Sequence, residues 1–178
     1  MNSRVAAVAV ALVLVVGMTT GCQPEPGPSP SGPIFANEDE AFSAAEQTYR
    51  AYVDALNQVD LSDPETFEAV YAWTTGDANA NERTTLSQMH ADAWRISGTT
   101  AVAGFRGQSA ELTEPAAVDA IICSDVSDVE VFDADGRSMV SDQRPDVYSL
   151  SVQFVESSST STGLAIAASN AVEDSSCT

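Results

Sequence analysis

The stretch YSLSVQF, residues 148–154, alternates apolar and polar side chains without a break. Its aromatic and aliphatic members fall on one face, and its serines and glutamine fall on the other, which predicts a strand that buries one side of a sheet. Another strand is predicted at 164–172, after a Ser/Thr-rich loop at 156–163. A half-buried sheet needs a covering layer, so the rest of the chain must supply one.

Two further extended regions precede this strand. Residues 99–112 are rich in Thr, Val and small residues, and residues 117–132 predict one long strand region. The DADG sequence at 133–136 follows and predicts a hairpin turn, with the chain returning at 137–140, because Asp-Gly tolerates a positive φ. A calcium loop is the alternative, but its flanks have the pattern of strands rather than helices.

Three helices are predicted upstream of the strands, over residues 38–58, 63–75 and 81–96. Asn37 can cap the first helix, and Glu40 stands three residues later, close to the capping-box pattern. The Asp63-Pro64 pair is typical of a helix start, and Gly98 predicts the end of the third helix. Helices first and strands afterwards favour an α+β fold, with the helices on one face of an antiparallel sheet.

The N-terminal residues carry an export signal. Arg4 precedes 14 apolar residues, Val5–Met18, which are fewer than the roughly 20 that span a bilayer and are typical of a secretory signal. Small residues then lead to Cys22, which resembles the lipobox of bacterial lipoproteins, although Thr19 stands where that family usually has Leu. The resemblance implies a diacylglyceryl group on Cys22 and cleavage before it. An ordinary secretory signal is the alternative.

The predicted organisation is a signal peptide over 1–21, a lipidated cysteine and tether over 22–33, and an α+β domain over 34–178. Gln23–Pro33 holds five prolines, two glycines and no aliphatic side chain, so we expect an extended tether. A ligand for a proline-binding module is the weaker alternative. The domain would then be lipid-anchored at the cell membrane, on its extracytoplasmic face.

Charge and motif content narrow the classes of function. After removal of residues 1–21 the chain has six arginines, no lysine and 26 acidic residues, for a net charge of −20. Such a surface argues against nucleic acid as a partner and against lying flat on anionic lipid. The sequence has no serine nucleophile elbow, Gly-rich phosphate loop or zinc spacing, so no metal and no cofactor is predicted.

Two cysteines remain after Cys22 is assigned to lipid. Export permits disulfides, so the even pair predicts a bridge between Cys123 and Cys177. Closing a loop of that length would stabilise the fold by roughly 4 kcal/mol in the chain-entropy model. A metal-binding pair is the alternative, but two cysteines with a single histidine make a poor zinc site.

Tyr52, Trp73 and His90 are the candidate pocket residues. Tyr52 and Trp73 could line an apolar pocket with their polar tips, and an ordinary core is the alternative. His90, the only histidine, could serve as a general base because its pKa lies near neutrality. The favoured alternative is a histidine packed on its helix face with one hydrogen bond, since no second catalytic residue can be matched to it.

Three stretches carry a resemblance to a known superfamily. They are EDEAFSAAEQTYRAYVDALNQV (38–59), ADAWRISGTTAVAGF (91–105) and IICSDVSDVEVFDADGRSMVSDQRPD (121–146). Together with the terminal cysteine they resemble the nuclear-transport-factor-2-like superfamily, and more closely actinobacterial lipoproteins that carry such a domain. The resemblance implies three helices and a curved antiparallel sheet that together enclose a cone. The superfamily includes enzymes, ligand binders and interaction modules, so its fold does not give a function.

The favoured hypothesis is a non-catalytic, lipid-anchored domain that binds a small molecule or an envelope protein. The alternative is an isomerase-like or cyclase-like enzyme in which His90 acts as general base inside the cone, as the superfamily's ketosteroid isomerase-like and polyketide cyclase-like members use Asp, His or Tyr. A third hypothesis is a structural envelope protein with a filled cone. An open cone with a polar group near His90 would favour the enzyme, and a filled cone would favour interaction or structure.

Overall fold

The computed structural model describes residues 34–174 and Cys177, so the predicted signal peptide, Cys22 and the tether lie outside the described residues. Within that part no helix is both long and apolar enough to cross a membrane. In chain order the elements are α1 (Glu38–Leu56), a 3-10 helix (Pro64–Phe67), α2 (Glu68–Tyr71), α3 (Gly76–Ala91), β1 (Arg95–Ser97), β2 (Ala101–Glu111), β3 (Ala117–Asp125), β4 (Glu130–Phe132), β5 (Val147–Glu156) and β6 (Leu164–Ala171).

The strands form two antiparallel sheets. The larger has the order β2-β3-β5-β6, and the smaller pairs β1 with β4. Register shifts interrupt β2 twice and the β5–β6 ladder once, and such bulges bend a sheet. The predicted α+β class, with three helices packed on an antiparallel sheet, is confirmed.

The helices cover the inner face of the larger sheet. Alternate residues of β3 point inward, so Val118, Ala120 and Ile122 are almost completely buried while their neighbours are partly exposed. The largest fully buried side chain is Phe154, on the alternating strand β5, as the pattern predicted. Burying a side chain of this size stabilises a fold by about 1.5–3 kcal/mol, so this packed layer is the main source of stability.

Helix α1 begins where the sequence predicts. The Asn37 side chain accepts a hydrogen bond from the Glu40 N–H at 2.9 Å, and the Glu40 carboxylate accepts one from the Ala36 N–H at 2.7 Å. At the other end, the Asn57 amide exchanges two hydrogen bonds with the Thr100 backbone, at 2.8 and 2.9 Å. These contacts fix the end of α1 against the start of β2.

The other two predicted helices have different bounds. The segment that starts at Asp63-Pro64 forms a 3-10 turn and then the single-turn helix α2. Helix α3 starts at Gly76, five residues before the predicted start, and ends at Ala91, five before the predicted end. It ends because Ala93 adopts a positive φ of 55° and the Trp94 N–H bonds back to the Met89 carbonyl. Gly98 therefore does not end this helix.

The predicted long strand at 117–132 is two strands. The Asp125 side chain accepts the Ser127 N–H at 2.9 Å, and this turn directs β4 away from the larger sheet to pair with β1. The turn after β4 is the predicted hairpin, with Gly136 at a φ of +80°. The returning segment at 137–140 forms only an isolated bridge, between Ser138 and Phe132.

The chain after β6 crosses the outer face of the larger sheet. The Ser149 hydroxyl of β5 donates to the Asp174 carbonyl, and the Asp174 carboxylate pairs with Arg106 of β2 at 2.9 Å. Cys177 then reaches Cys123 on β3, with the two sulfur atoms 2.04 Å apart. We call residues 172–174 and Cys177 the C-terminal strap.

Candidate functional site

A small cavity lies between the helices and the larger sheet. Its volume is about 70 Å³, and its lining includes Tyr49 and Tyr52 of α1, Glu82 of α3 and Ile166 of β6. Ligand sites typically measure about 300–1,000 Å³, so this space suits a few water molecules rather than a ligand.

A tyrosine and a carboxyl group meet in that cavity. The Tyr52 hydroxyl donates to the Glu82 carboxylate at 2.5 Å, joining α1 to α3. Burial raises the pKa of Glu82, and the hydrogen bond from Tyr52 partly opposes this effect. Burial also raises the pKa of Tyr49 to about 12 and that of Tyr52 well above its ordinary value. Burial therefore disfavours the charged forms of Tyr52 and Glu82, which are bonded to each other.

His90 lies outside this cavity. Its ring is exposed, and its Nδ1 atom lies 2.6 Å from the Leu61 carbonyl oxygen. A carbonyl can only accept, so Nδ1 carries the proton. The ring also meets the edge of Phe67, with centroids 6.3 Å apart. The structure therefore places His90 in a groove against the segment that follows α1, and not in the cavity that Tyr52 and Glu82 line.

The three predicted pocket residues do not come together. Tyr52 lines the interior cavity, and His90 lines a separate groove on the outside. Trp73 is half-buried, lines neither space and packs on the small apolar cluster around Phe67. Its carbonyl accepts the Ile166 N–H at 2.9 Å, which covers part of the edge of β6. Trp73 therefore has a packing role here.

The groove at His90 is an open site on the surface of the domain. It has a volume of about 610 Å³ and lies between the segment after α1, the end of α3 and strand β1. We call it the Arg95 groove. Its lining residues are Val59, Asp60, Leu61, Ser62, His90, Ala93, Trp94, Arg95 and Ile96.

Local structure places these groups. Asp60 Oδ1 accepts both the Ser62 N–H at 2.8 Å and the Ser62 hydroxyl at 2.7 Å, and these bonds lower the pKa of Asp60. On the other wall, the positive φ of Ala93 turns the chain out of α3, so that Trp94 to Ile96 follow directly along the groove. Nothing in the sequence marks Arg95, because the apolar period predicted that α3 continues to residue 96.

A second groove adjoins the first at Trp94. Its volume is about 520 Å³, and it runs between Trp94, Val131 of β4 and Tyr148 of β5. Met139 at its border is 48 % exposed, and Ile96 of the Arg95 groove is 38 % exposed. This end of the molecule therefore exposes more apolar surface than its acidic composition suggests.

The described residues contain no cluster of three or more His, Cys, Asp or Glu side chains that could hold a metal ion. The Asp133–Gly136 turn instead pairs with Arg137, whose guanidinium lies 2.8 Å from the Asp133 carboxylate. The hydrogen bonds and charge of Arg137 lower the pKa of Asp133. The acidic turn is thus satisfied by its own hairpin.

Neither a protein-family model nor a curated protein matches this chain. Among solved structures, the intermembrane space region of chloroplast protein ARC6 is similar over 75 % of this chain and 97 % of that one, at 12 % identity and a TM-score of 0.51. A periplasmic fragment of TraM covers 77 % and 98 %, at 7 % identity and a TM-score of 0.47. The VirB8 protein of Agrobacterium tumefaciens covers 75 % and 92 %, at 10 % identity and a TM-score of 0.38. At such identities the likeness to ARC6 supports the fold and assigns no activity.

Proposed function

We propose that this chain is a lipid-anchored extracytoplasmic domain that binds a small molecule or an envelope protein and performs no catalysis. The observation that carries the proposal is the small size of the cavity at the buried acid–base groups. In the superfamily that the sequence resembles, the enzymes work at the cone, and here the cavity that Tyr52 and Glu82 line measures only about 70 Å³. A substrate of ordinary size would not fit in it.

The chemistry of the polar groups supports the same conclusion. Tyr52 and Glu82 are hydrogen-bonded to each other, and His90 uses Nδ1 on a backbone carbonyl. Among the described residues, no carboxylate or phenol is hydrogen-bonded to the His90 ring, whose Nδ1–H is held by the Leu61 carbonyl, so His90 has no second acid–base group bonded to it. Binding, in contrast, needs only a groove of suitable size, and the Arg95 groove offers one.

The anchor is supported by the order of Arg4, the apolar run, the small residues and Cys22. Two acyl chains on one cysteine would hold the domain firmly, whereas a single chain binds a membrane only marginally. The region of ARC6 that shares the fold belongs to an intermembrane space, which agrees with a domain held in a bacterial envelope.

Mass spectrometry of the N-terminal tryptic peptide tests the anchor. The chain has no lysine, so after cleavage before Cys22 the first tryptic site is Arg50 and the peptide runs over 22–50. We expect this peptide from the membrane fraction to carry a diacylglyceryl mass on Cys22. In a Cys22→Ala chain the mass should be absent. An unmodified N-terminus at another residue, in protein released to the medium, would contradict the proposal.

A further inference from the structure

We propose that the Arg95 groove binds a small amphipathic carboxylate, with Arg95 pairing with the carboxylate and Trp94 and Ile96 contacting the apolar part. This inference rests on the proposed binding function and names the site and the ligand class. The volume of about 610 Å³ lies in the range of small-molecule sites.

The charge pattern singles out Arg95. The described residues include six arginines, and five of them have a partner. Arg50, Arg83, Arg106 and Arg137 pair with carboxylates, and Arg144 donates to the carbonyls of Val126 and Val129. Arg95 has no hydrogen bond or ion pair within the part of the chain that the structure describes, although the chain holds 26 acidic residues. Its Nη2 atom lies beside Gly136, at the side of the groove that faces the Asp133–Gly136 turn, and the guanidinium is available there to an external anion.

The groove does not neutralise Arg95 from within. Asp60 is the only carboxylate on its lining, and its Oδ1 already accepts two hydrogen bonds from Ser62. A guanidinium presents its donors as a planar fork that matches a carboxylate with two parallel hydrogen bonds. A carboxylate suits this position better than a neutral group, because it satisfies the fork and offsets its charge.

The walls around Arg95 select the rest of the ligand. Trp94 is half-buried and borders both grooves, and Ile96 is 38 % exposed beside it. An aromatic ring and an aliphatic chain flanking a single cation favour an apolar body with one acid group. A ligand with several negative charges fits less well, since the net charge of −19 repels it.

Isothermal calorimetry on the full chain, kept in lipid nanodiscs with its anchor, tests the inference. The probes are 4-phenylbutyrate and its neutral analogue 4-phenylbutan-1-ol. We expect the carboxylate to bind about tenfold more tightly than the alcohol. Arg95→Gln should remove this preference. Arg50→Gln, which changes the net charge equally on the exposed side of α1, should keep it. Equal binding of both probes, no binding of phenylbutyrate, or a preference that survives in Arg95→Gln would overturn the inference.

Fluorescence gives a second readout that does not depend on the arginine variant. The chain has two tryptophans, so Trp73→Phe leaves Trp94 as the reporter. Phenylbutyrate should change its emission, and an unchanged emission at saturating probe would place binding elsewhere. The same sample is digested for the Cys22 peptide. If Cys22 is acylated and the protein shows no preference for the carboxylate probe, the inference about the Arg95 groove is overturned and the anchor stands. If Cys22 is unmodified, only the proposed lipid anchor is contradicted.

Discussion

Replacing Gly107 by alanine is expected to destabilise the domain through one contact. Gly107 lies on β2 and faces the Phe42 ring of α1. A Cβ atom added there would lie 2.5–2.6 Å from three atoms of the Phe42 ring. Carbon atoms in ordinary contact are about 3.5–4.0 Å apart, so the ring would have to retreat by about 1 Å. The clash involves Cγ, close to the helix backbone, so a simple ring rotation does not relieve it.

The expected cost follows from two opposing effects. Overpacking a filled core typically costs about 1–3 kcal/mol. Alanine also restricts the unfolded chain, which offsets about 0.4–1 kcal/mol of that cost. The net loss in the free energy of unfolding should be about 1–2 kcal/mol, a large part of the margin of an ordinary domain.

Urea unfolding followed by circular dichroism measures this loss. The midpoint should fall while the slope m stays constant, because the surface exposed on unfolding hardly changes. Gly104→Ala is the matched control on the same strand, since its added Cβ would meet the Cys123 sulfur at 3.2 Å and needs a much smaller adjustment. In a Phe42→Ala background the Gly107→Ala substitution should cost little, because the obstructing ring is gone. Gly107→Ala as stable as the unaltered chain, or an equal loss without the Phe42 ring, would refute the reasoning.

Two further predictions concern the buried carboxyl and the paired cysteines. Burial raises the pKa of Glu82 in the folded protein above the 4.5 expected in the unfolded chain. The free energy of unfolding should therefore fall as the pH rises from 4.5 to the higher pKa of the folded state. Glu82→Gln lacks this loss and should gain stability over the unaltered chain between acidic and neutral pH in urea titrations, and a pH-independent difference would refute the assignment. Replacing Cys123 and Cys177 together by serine opens the loop between two positions that are 54 residues apart. The free energy of unfolding, measured in urea, should fall by about 4 kcal/mol, and an unchanged midpoint would contradict that expectation.

The sequence predicted the elements whose signals are local and strong. Asn37 and Glu40 predict the start of α1 because a capping box depends on residues that are only three positions apart. The alternation in 148–154 identifies β5 because one face of that strand packs on the core, with Val152 and Phe154 completely buried. The order of helices and strands then settled the α+β class.

Element boundaries with a tertiary cause were mispredicted. Helix α3 starts in the polar run after Gly76, where only Ala78 of the first turn is buried, so no apolar period marks it. The turn at Asp125 was missed because Val126 and Val129 continue the apolar pattern of a strand. Asp125 and Ser127 are turn-forming residues, and the bond between them ends β3 there. Ala93 adopts its left-handed conformation without any residue type that favours it.

The mispredicted end of α3 also explains why the candidate site differs from the prediction. Tyr52, Trp73 and His90 were grouped because they are aromatic or titratable. The cavity or groove that each side chain lines depends on where its helix ends, and the sequence did not give that end correctly. Ending α3 at Ala91 placed His90 on the outside and turned Arg95 into part of a groove. An isolated arginine gives no signal in a sequence, since only the folded chain reveals that it lacks a partner.

The C-terminal strap also restricts how this domain can assemble. It runs from β6 over β5 to Cys123 on β3, and Asp174 reaches Arg106 on β2. Another protein that approaches the outer face of the sheet meets the strap before it meets the strands. Two copies that paired through these faces would contact the strap first. Uncovering the strands beneath it would require reduction of the Cys123–Cys177 bridge.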